Sequence, residues 1–218
     1  MDFPLIWRQV KIGAPASVRG TERATSQLVL LGLVSPFGDV ALATYALYRR
    51  LEMFSNFANQ GISQSTGTMV GQNLGAGKPD RAKQVVWWSC GYNATMNLMI
   101  RGLFWIFPVG IIMIFTKNAD VVALTVQWVR IQLIAAFFQG LMQIFQEAFN
   151  GAGDTLAPMI NTVVGVWAAE VPAAFYLCTQ TFLGPLGIAV AAILGFSSRA
   201  FAFLLYYFYG RWLRVKVI

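Results

Sequence analysis

The sequence predicts an all-α fold: a polytopic membrane protein built as a bundle of six transmembrane helices. Charged residues make up only 11% of the 218 residues, whereas soluble domains average about 25%. Hydrophobic residues make up 57%, and they gather in six long apolar segments separated by short polar stretches. At about 1.5 Å of rise per residue, each segment is long enough to cross a hydrocarbon core of about 30 Å.

The six segments follow one another along most of the chain. We place them at residues 14–37, 39–73, 81–116, 120–150, 155–182 and 186–211. The second, third and fourth exceed the length of a straight crossing, which predicts helices that tilt, bend or project from the membrane. Pro108 is expected to kink the third segment and Pro172 the fifth, because proline lacks the N–H group that a helix interior uses.

Two polar hinges with the sequence Gly-Ala-Gly separate apolar segments. Glycine has no Cβ atom, so Gly75 and Gly77 are expected to take the left-handed conformation that ends a helix. Pro79 suits the first turn of the helix that follows. The residues predicted to form the two hinges are Gly75, Gly77, Gly151, Gly153 and Asp154.

The basic residues between segments predict the orientation of the chain in the cell membrane. Six crossings place both termini on the same side. That side would carry eight basic residues and the opposite side only Lys117, and basic residues collect on the cytoplasmic side. We therefore expect cytoplasmic termini and cytoplasmic hinges. The eight residues are Arg8, Lys11, Lys78, Arg81, Lys83, Arg211, Arg214 and Lys216.

Seven arginines and four glutamates lie inside the apolar segments. A charge at the bilayer centre costs at least about 2.5–3.5 kcal/mol, so these side chains must face protein, water or one another. Arg19 with Glu22, and Arg49 with Glu52, are three residues apart and share a helix face. Mutual neutralisation is one explanation and ion coupling the other. The coupling candidates are Glu22, Glu170 and Glu52, and the substrate-cavity candidates are Arg19, Arg49 and Asn73.

The chain lacks the usual signatures of an enzyme. It has no histidine and no cysteine cluster, and in the stretch Gly77-Lys78 a proline replaces the Ser or Thr of a phosphate-binding loop. No cofactor or metal site is expected. Because the basic residues are dispersed between apolar segments, no nucleic-acid partner is expected either. Intramembrane carboxylates instead suit a transporter that handles Na⁺ or H⁺.

Five stretches resemble the multidrug and toxic compound extrusion (MATE) family. Residues 71–82 (GQNLGAGKPDRA) resemble the turn after the second helix of each MATE lobe, and residues 150–158 the turn between its fourth and fifth helices. Residues 13–15 resemble the entry to a lobe, residues 38–45 the start of a second helix, and residues 184–191 the turn before a sixth.

The resemblance implies one six-helix lobe of a twelve-helix transporter, closer to the second lobe than to the first. Residues 1–13 would be the cytoplasmic inter-lobe connection, 14–211 the lobe and 212–218 a basic cytoplasmic tail. MATE proteins export organic cations and other toxic compounds in exchange for Na⁺ or H⁺, by alternating access between two lobes. Glu22 is the nearest match to a coupling glutamate found in some branches.

One lobe alone cannot form a cleft between two lobes. The chain is therefore expected to be a fragment of a longer transporter, or to assemble with a partner half or a second copy. The expected partners are membrane lipid, the missing N-terminal lobe or second copy, and a small cationic or amphipathic substrate. Two other functions stay open: a lipid-linked-sugar flippase of the same superfamily, and a membrane interaction subunit that does not transport.

Overall fold

The computed structural model describes residues 3–214, which form long helices joined by short turns and contain no strand. Short 3₁₀ turns follow the first and last helices, at Ser35–Phe37 and Arg211–Arg214. The eight α-helices, in order, are α1 (Phe3–Val34), α2 (Asp39–Gly75), α3 (Pro79–Ile106), α4 (Pro108–Met113), α5 (Ala119–Gly151), α6 (Leu156–Gly165), α7 (Val171–Thr179) and α8 (Leu186–Tyr209).

These helices make the six crossings that the sequence predicts. The third consists of α3 and α4, and the break between them at Phe107 confirms the kink expected at Pro108. The fifth consists of α6 and α7. Three crossings, at 119–151, 156–179 and 186–209, are long and apolar enough by length and composition alone to span a membrane. The first three crossings carry more of the intramembrane charge.

The structure extends the first expected helix towards the N-terminus, and it describes only part of the expected C-terminal tail. Helix α1 begins at Phe3, so residues 3–13 are helical and continuous with the first crossing. At the other end, Arg211–Arg214 forms a 3₁₀ turn, and the rest of the expected tail lies outside the described residues. Trp212 in this turn is fully buried, and its indole N–H donates to the Tyr207 carbonyl at 3.2 Å. The turn is therefore packed against the bundle.

A π-helical turn at Val166–Glu170 joins α6 to α7 within one continuous crossing. The Val171 N–H donates to the Val166 carbonyl, five residues earlier. Pro172 follows directly and has no N–H group to donate, so a regular α-helix could not be completed across this position. Where the sequence predicts a kink at Pro172, the structure has one widened turn, a type of irregularity common at functional sites.

The first hinge ends α2 in a Schellman motif. Gly77 has a φ of 70°, its N–H donates to the Leu74 carbonyl, and the Lys78 N–H donates to the Asn73 carbonyl at 2.8 Å. This motif needs only one left-handed residue, at the position directly after the capping residue. Gly75 is the last helical residue of α2, so the expectation that it also turns left-handed is wrong.

The second hinge repeats the same geometry at the end of α5. Gly153 has a φ of 83°, its N–H donates to the Asn150 carbonyl, and the Asp154 N–H donates to the Phe149 carbonyl at 2.9 Å. Asp154 then accepts hydrogen bonds from the Ala157 N–H and the Tyr206 hydroxyl. The second turn is therefore tied to the end of α8.

Gly151, the remaining hinge glycine, is helical and serves a different purpose. It lies where α5 crosses α2, and a Cβ atom there would overlap the Gly67 carbonyl. A Cβ on Gly67 would lie 2.7 Å from the Glu147 carbonyl oxygen, and one on Gly71 would lie 2.9 Å from that of Gly151. Two helix backbones are therefore in direct contact, as small residues allow in membrane proteins.

Two apolar clusters occupy opposite ends of the bundle. One joins the ends of α2, α5 and α8 to the start of α3, around Phe149, Phe203 and Trp212. The other joins the end of α1 to α7 and the beginnings of α2, α5 and α8, around Val34 and Trp128. Polar side chains are concentrated between the two clusters, where they form the site described next.

Candidate functional site

A cavity of about 340 Å³ lies between α1, α2, α5, α6 and α8. Many of the charged residues that lie inside the apolar segments line this cavity. Three glutamates and four arginines line it: Glu22, Glu52, Glu170, Arg19, Arg23, Arg49 and Arg199. We refer to it as the central cavity.

The structure brings five of the six predicted cavity and coupling residues to this place. All three coupling candidates line the central cavity, as do Arg19 and Arg49. The sixth candidate, Asn73, lies near the C-terminal end of α2. Its side-chain amide donates to the carbonyl of Met69 at 2.7 Å, one helical turn earlier, and it does not line the cavity.

Arg199 and Glu170 form a buried ion pair at one wall of the central cavity. The distance from Arg199 Nη2 to Glu170 Oε2 is 2.5 Å. A Cβ atom on Gly165 would overlap the Arg199 side chain, and one on Gly195 would lie 2.7 Å from Glu170 Oε2. The π-helical turn aligns residues five apart, so Gly165 and Glu170 both face Arg199. The pair is therefore tightly enclosed.

Glu52 is held by a chain of hydrogen bonds that runs from the central cavity to α3. Its Oε2 accepts from Arg49 at 2.5 Å, as the spacing of the two residues predicts. Its Oε1 accepts from Gln139 Nε2 at 3.0 Å, and Gln139 Oε1 accepts from Arg101 Nη2 at 3.0 Å. Arg101 also donates to Asn56, at 3.4 Å. Both carboxylate oxygens of Glu52 are thus engaged.

Three asparagines extend the polar layer beyond this chain. Asn59 on α2 meets Asn93 and Asn97 on α3, and the Asn97 amide donates to the side-chain oxygens of both others, at 3.1 and 2.7 Å. Gly140 on α5 leaves room for them, since a Cβ atom there would overlap Asn93. Buried amides that satisfy one another fix how helices pack in a membrane.

Arg19 is bonded to α5 and not to its neighbours on α1. Its Nη1 donates to Asn150 Oδ1 at 3.2 Å, and the Asn150 amide donates to Glu147 Oε1 at 3.2 Å. In the part of the chain that the structure describes, neither Arg19 nor Arg23 forms an ion pair with Glu22. The shared helix face of Arg19 and Glu22 therefore does not neutralise them by direct contact.

Glu22 is distinguished from the other two glutamates by an oxygen without a partner. The residue is 8% exposed, and among the described residues its Oε1 has no hydrogen-bond donor. Three further buried oxygens share this property, and two of them are Oε1 of Gln143 on α5 and Oγ1 of Thr162 on α6. Glu22, Gln143 and Thr162 line the central cavity, whereas the third, Thr44 Oγ1 on α2, does not. Carboxylate, amide and hydroxyl oxygens are the ligands that hard cations prefer.

Sequence reasoning missed several of these residues, although their spacing carried a signal. Asn93, Asn97 and Arg101 recur every four residues, which places them on one face of α3. Four glutamines follow a helical spacing along α5: Gln132, Gln139, Gln143 and Gln146. These glutamines are uncharged, so their charge did not mark them as candidates. Thr162 has no polar neighbour at helical spacing that would have identified it.

Within residues 3–214 no group of three His, Cys, Asp or Glu side chains could hold a metal ion.

Comparison with known proteins gives one consistent result. The sequence model of the MatE family matches residues 23–176. "Probable multidrug resistance protein NorM" of Thermotoga maritima is 25% identical over 209 residues, which cover 96% of this chain and 45% of that protein. "Probable multidrug resistance protein YoeA" of Bacillus subtilis is also 25% identical, over 96% of this chain and 44% of that protein.

A solved structure of the Vibrio cholerae MATE transporter VcmN has the same fold. The TM-score is 0.86 at 22% sequence identity, over 95% of this chain and 47% of that one. This chain thus spans about half the length of the relatives that it matches. What is aligned is a single bundle of six helices.

Proposed function

Because this chain belongs to the MatE family, we propose that it forms one lobe of an efflux transporter in the cell membrane. The transporter would export small amphipathic compounds, organic cations among them, in exchange for Na⁺ or H⁺. The two relatives described above are named as multidrug resistance proteins, which supports efflux of this kind. The observation that carries the proposal is the central cavity, where Glu22 presents an unpartnered oxygen.

The depth of the cavity within the helices supports a role in coupling. Glu22 lies 12 residues before Val34, where α1 ends, or about 18 Å along the helix. Glu170 lies 9 residues before Thr179, where α7 ends, or about 14 Å. Both distances are near half the thickness of a hydrocarbon core of about 30 Å. Ionisable groups at such depth mark ion pathways in many transporters.

Among the three glutamates, Glu22 is best suited to bind and release the coupling ion. Glu52 and Glu170 each accept a 2.5 Å hydrogen bond from an arginine, which neutralises them whether or not an ion is bound. Glu22 has no such bond. In this proposal Na⁺ is held by the unpartnered oxygens of Glu22, Gln143 and Thr162, or a proton is held by Glu22 alone.

The rest of the transporter is supplied by a second lobe. A missing N-terminal half or a second copy of this chain would face α1 and α2, and access to the substrate would alternate between the two sides of the membrane. We propose the orientation given by the basic residues, with both termini cytoplasmic.

Dye export by the complete transporter tests this function. Everted vesicles from cells that produce this chain with its completing lobe should accumulate rhodamine 6G when a Na⁺ or H⁺ gradient is imposed. Glu22→Gln should abolish the gradient-driven accumulation at unchanged protein abundance. Asp120→Asn, at the exposed start of α5, is the matched control and should leave transport intact.

Two results would contradict the proposal. Undiminished export by the Glu22→Gln variant would place the coupling ion elsewhere. Complete absence of gradient-driven export by the assembled native protein would favour an interaction subunit that does not transport.

A further inference from the structure

A second cavity, of about 440 Å³, opens between α1 and α2 beside the central cavity. The two share part of their walls, including Arg23, Arg49 and Glu52. Its other lining residues include Arg50, Met53 and Phe57, all on α2. We call it the α1–α2 cavity.

The charge of the α1–α2 cavity is strongly positive. Among the described residues that line it, Glu52 is the one acid, against three arginines. Glu52 is already neutralised by Arg49 at 2.5 Å. Arg23 and Arg50 have exposed side chains, and neither forms an ion pair or a side-chain hydrogen bond with the residues that the structure describes. Two guanidinium groups are therefore left to face the cavity.

These two arginines lie at the same depth. Arg23 is 11 residues before Val34, the end of α1, and Arg50 is 11 residues after Asp39, the start of α2. Each is about 16 Å along its helix from the connection that joins the two helices. That is near the middle of a core of about 30 Å, where an uncompensated charge is most costly. A negatively charged partner would compensate both charges.

The remaining wall shows what kind of partner fits. Met53 is 61% exposed and Phe57 57% exposed, and both line the cavity beside the arginines. Arginine binds carboxylate, sulfonate and phosphate groups through paired N–H donors, and its flat guanidinium also packs against aromatic rings. A lipid headgroup is held at the membrane surface by its acyl chains, which oppose its reaching this depth. A small amphipathic anion has no such anchor and can enter the cavity whole.

We propose that the α1–α2 cavity binds the anionic group of an amphipathic small molecule through Arg23 and Arg50, with Met53 and Phe57 contacting its apolar part. The proposal rests on the proposed transport function in that the molecule would be a substrate of the same transporter. It extends the expected substrates from organic cations to organic anions. Binding can be measured without transport, so the binding proposal can fail while the transport proposal stands, and the transport proposal can fail while the binding proposal stands.

Two xanthene dyes of similar size and opposite charge provide the test. The chain is reconstituted into nanodiscs of phosphatidylcholine, and binding of fluorescein, an anion, and rhodamine 123, a cation, is followed by fluorescence anisotropy. The native chain should bind fluorescein, and the Arg23→Gln/Arg50→Gln variant should bind it at least about tenfold more weakly, because charge-assisted hydrogen bonds are lost. Rhodamine 123 should bind the variant at least as tightly as it binds the native chain.

Controls separate this site from general effects of charge and folding. Arg130→Gln removes an exposed arginine on α5 that lines neither cavity, and it should leave fluorescein binding unchanged. Equal thermal stability of the double variant and the native chain excludes misfolding. Where the double variant proves unstable, Arg50→Lys alone serves, since it keeps the charge but loses the paired donors.

Several outcomes would overturn the proposal. One is fluorescein binding that the double substitution does not weaken. Another is fluorescein binding that disappears when phosphatidylglycerol is added to the nanodiscs, because the site would then belong to a lipid headgroup. A third is binding to this chain that is lost when the completing lobe is present, since carboxylates of that lobe would then neutralise the arginines.

Discussion

The guanidinium of Arg199 on α8 donates to the carboxylate of Glu170 at 2.5 Å, and each side chain lies against a glycine of the opposite helix. Both residues are at least nine-tenths buried. Two opposite charges enclosed in this way stabilise one another, but a single one left behind is severely destabilising.

Removing one partner of this pair should cost more than removing both. Arg199→Leu leaves the Glu170 carboxylate buried without a counter-charge, for which we expect a loss of about 3–5 kcal/mol in the free energy of unfolding. Arg199→Leu combined with Glu170→Leu should recover much of that loss. Thermal unfolding in dodecyl maltoside measures both. A double variant no more stable than the single one would show that the pair is not neutralised as a unit.

The two glycines of the first hinge should respond differently to substitution. Gly77→Ala forces a Cβ atom into the left-handed region and should destabilise the chain by about 1–2 kcal/mol. Gly75→Ala is the matched control: it lies two residues away in helical conformation, and its added Cβ atom would meet nothing within 4 Å. It should be neutral or slightly stabilising, because alanine favours the helix. Equal melting temperatures for the two variants would contradict the Schellman geometry.

The crossing of α2 and α5 should tolerate no added volume. A Cβ atom at Gly67 would lie 2.7 Å from the Glu147 carbonyl oxygen, so Gly67→Ala must separate the helices, at a cost of about 1–3 kcal/mol. Gly61→Ala, six residues earlier on α2, would meet nothing within 4 Å and serves as the control. The measurement is thermal stability in detergent. Equal melting temperatures for the two variants would show that the helices are farther apart than described.

Gln139 should matter because it joins Glu52 to Arg101. Gln139→Leu keeps a similar volume but leaves Glu52 Oε1 and Arg101 without this partner, which we expect to cost about 1–3 kcal/mol. Gln127→Leu, on the exposed side of the same helix, should have little effect. Urea or thermal unfolding in detergent distinguishes the two. An unchanged Gln139→Leu variant would mean that the two charges are satisfied by other groups.

Cysteine labelling tests the proposed orientation. Lys117→Cys, between α4 and α5, should react in intact cells with a maleimide that cannot cross the membrane. Lys78→Cys, in the first hinge, should react only after the cells are opened. Cys90 and Cys178 are buried and provide a low background. The reverse labelling pattern would place both termini outside the cytoplasm.

Much of the fold was predictable because hydropathy and helix-ending residues act locally. The boundaries of α2 and α5 fell within two residues of those expected, since Gly77 and Gly153 end their helices by a mechanism that the sequence displays. The role of Gly151 was not predictable, because it depends on a carbonyl of Gly67 that lies 84 positions earlier in the chain. Residues that are distant in sequence meet only once the packing is known.

The candidate site was predictable in its charges but not in its connections. Glu22, Glu52 and Glu170 were identifiable because charge in an apolar segment needs an explanation. Their convergence on one cavity depends on how three different helices are rotated, which hydropathy does not fix. Thr162 was overlooked because a single polar side chain on a membrane helix is common, and Gln143 was overlooked because the glutamines of α5 carry no charge. Position among neighbours, and not residue type, makes them part of the site.

The π-helical turn at Val166–Glu170 holds one residue more than an ordinary helical turn, so residues five apart share a face there. Losing one residue from this turn would bring back the ordinary spacing, in which residues four apart share a face. Gly165 and the glutamate would then still face Arg199 together. Over evolutionary time, a deletion of one codon here is therefore compatible with the ion pair, whereas the same deletion in a regular stretch of helix would rotate the residues beyond it by about 100°.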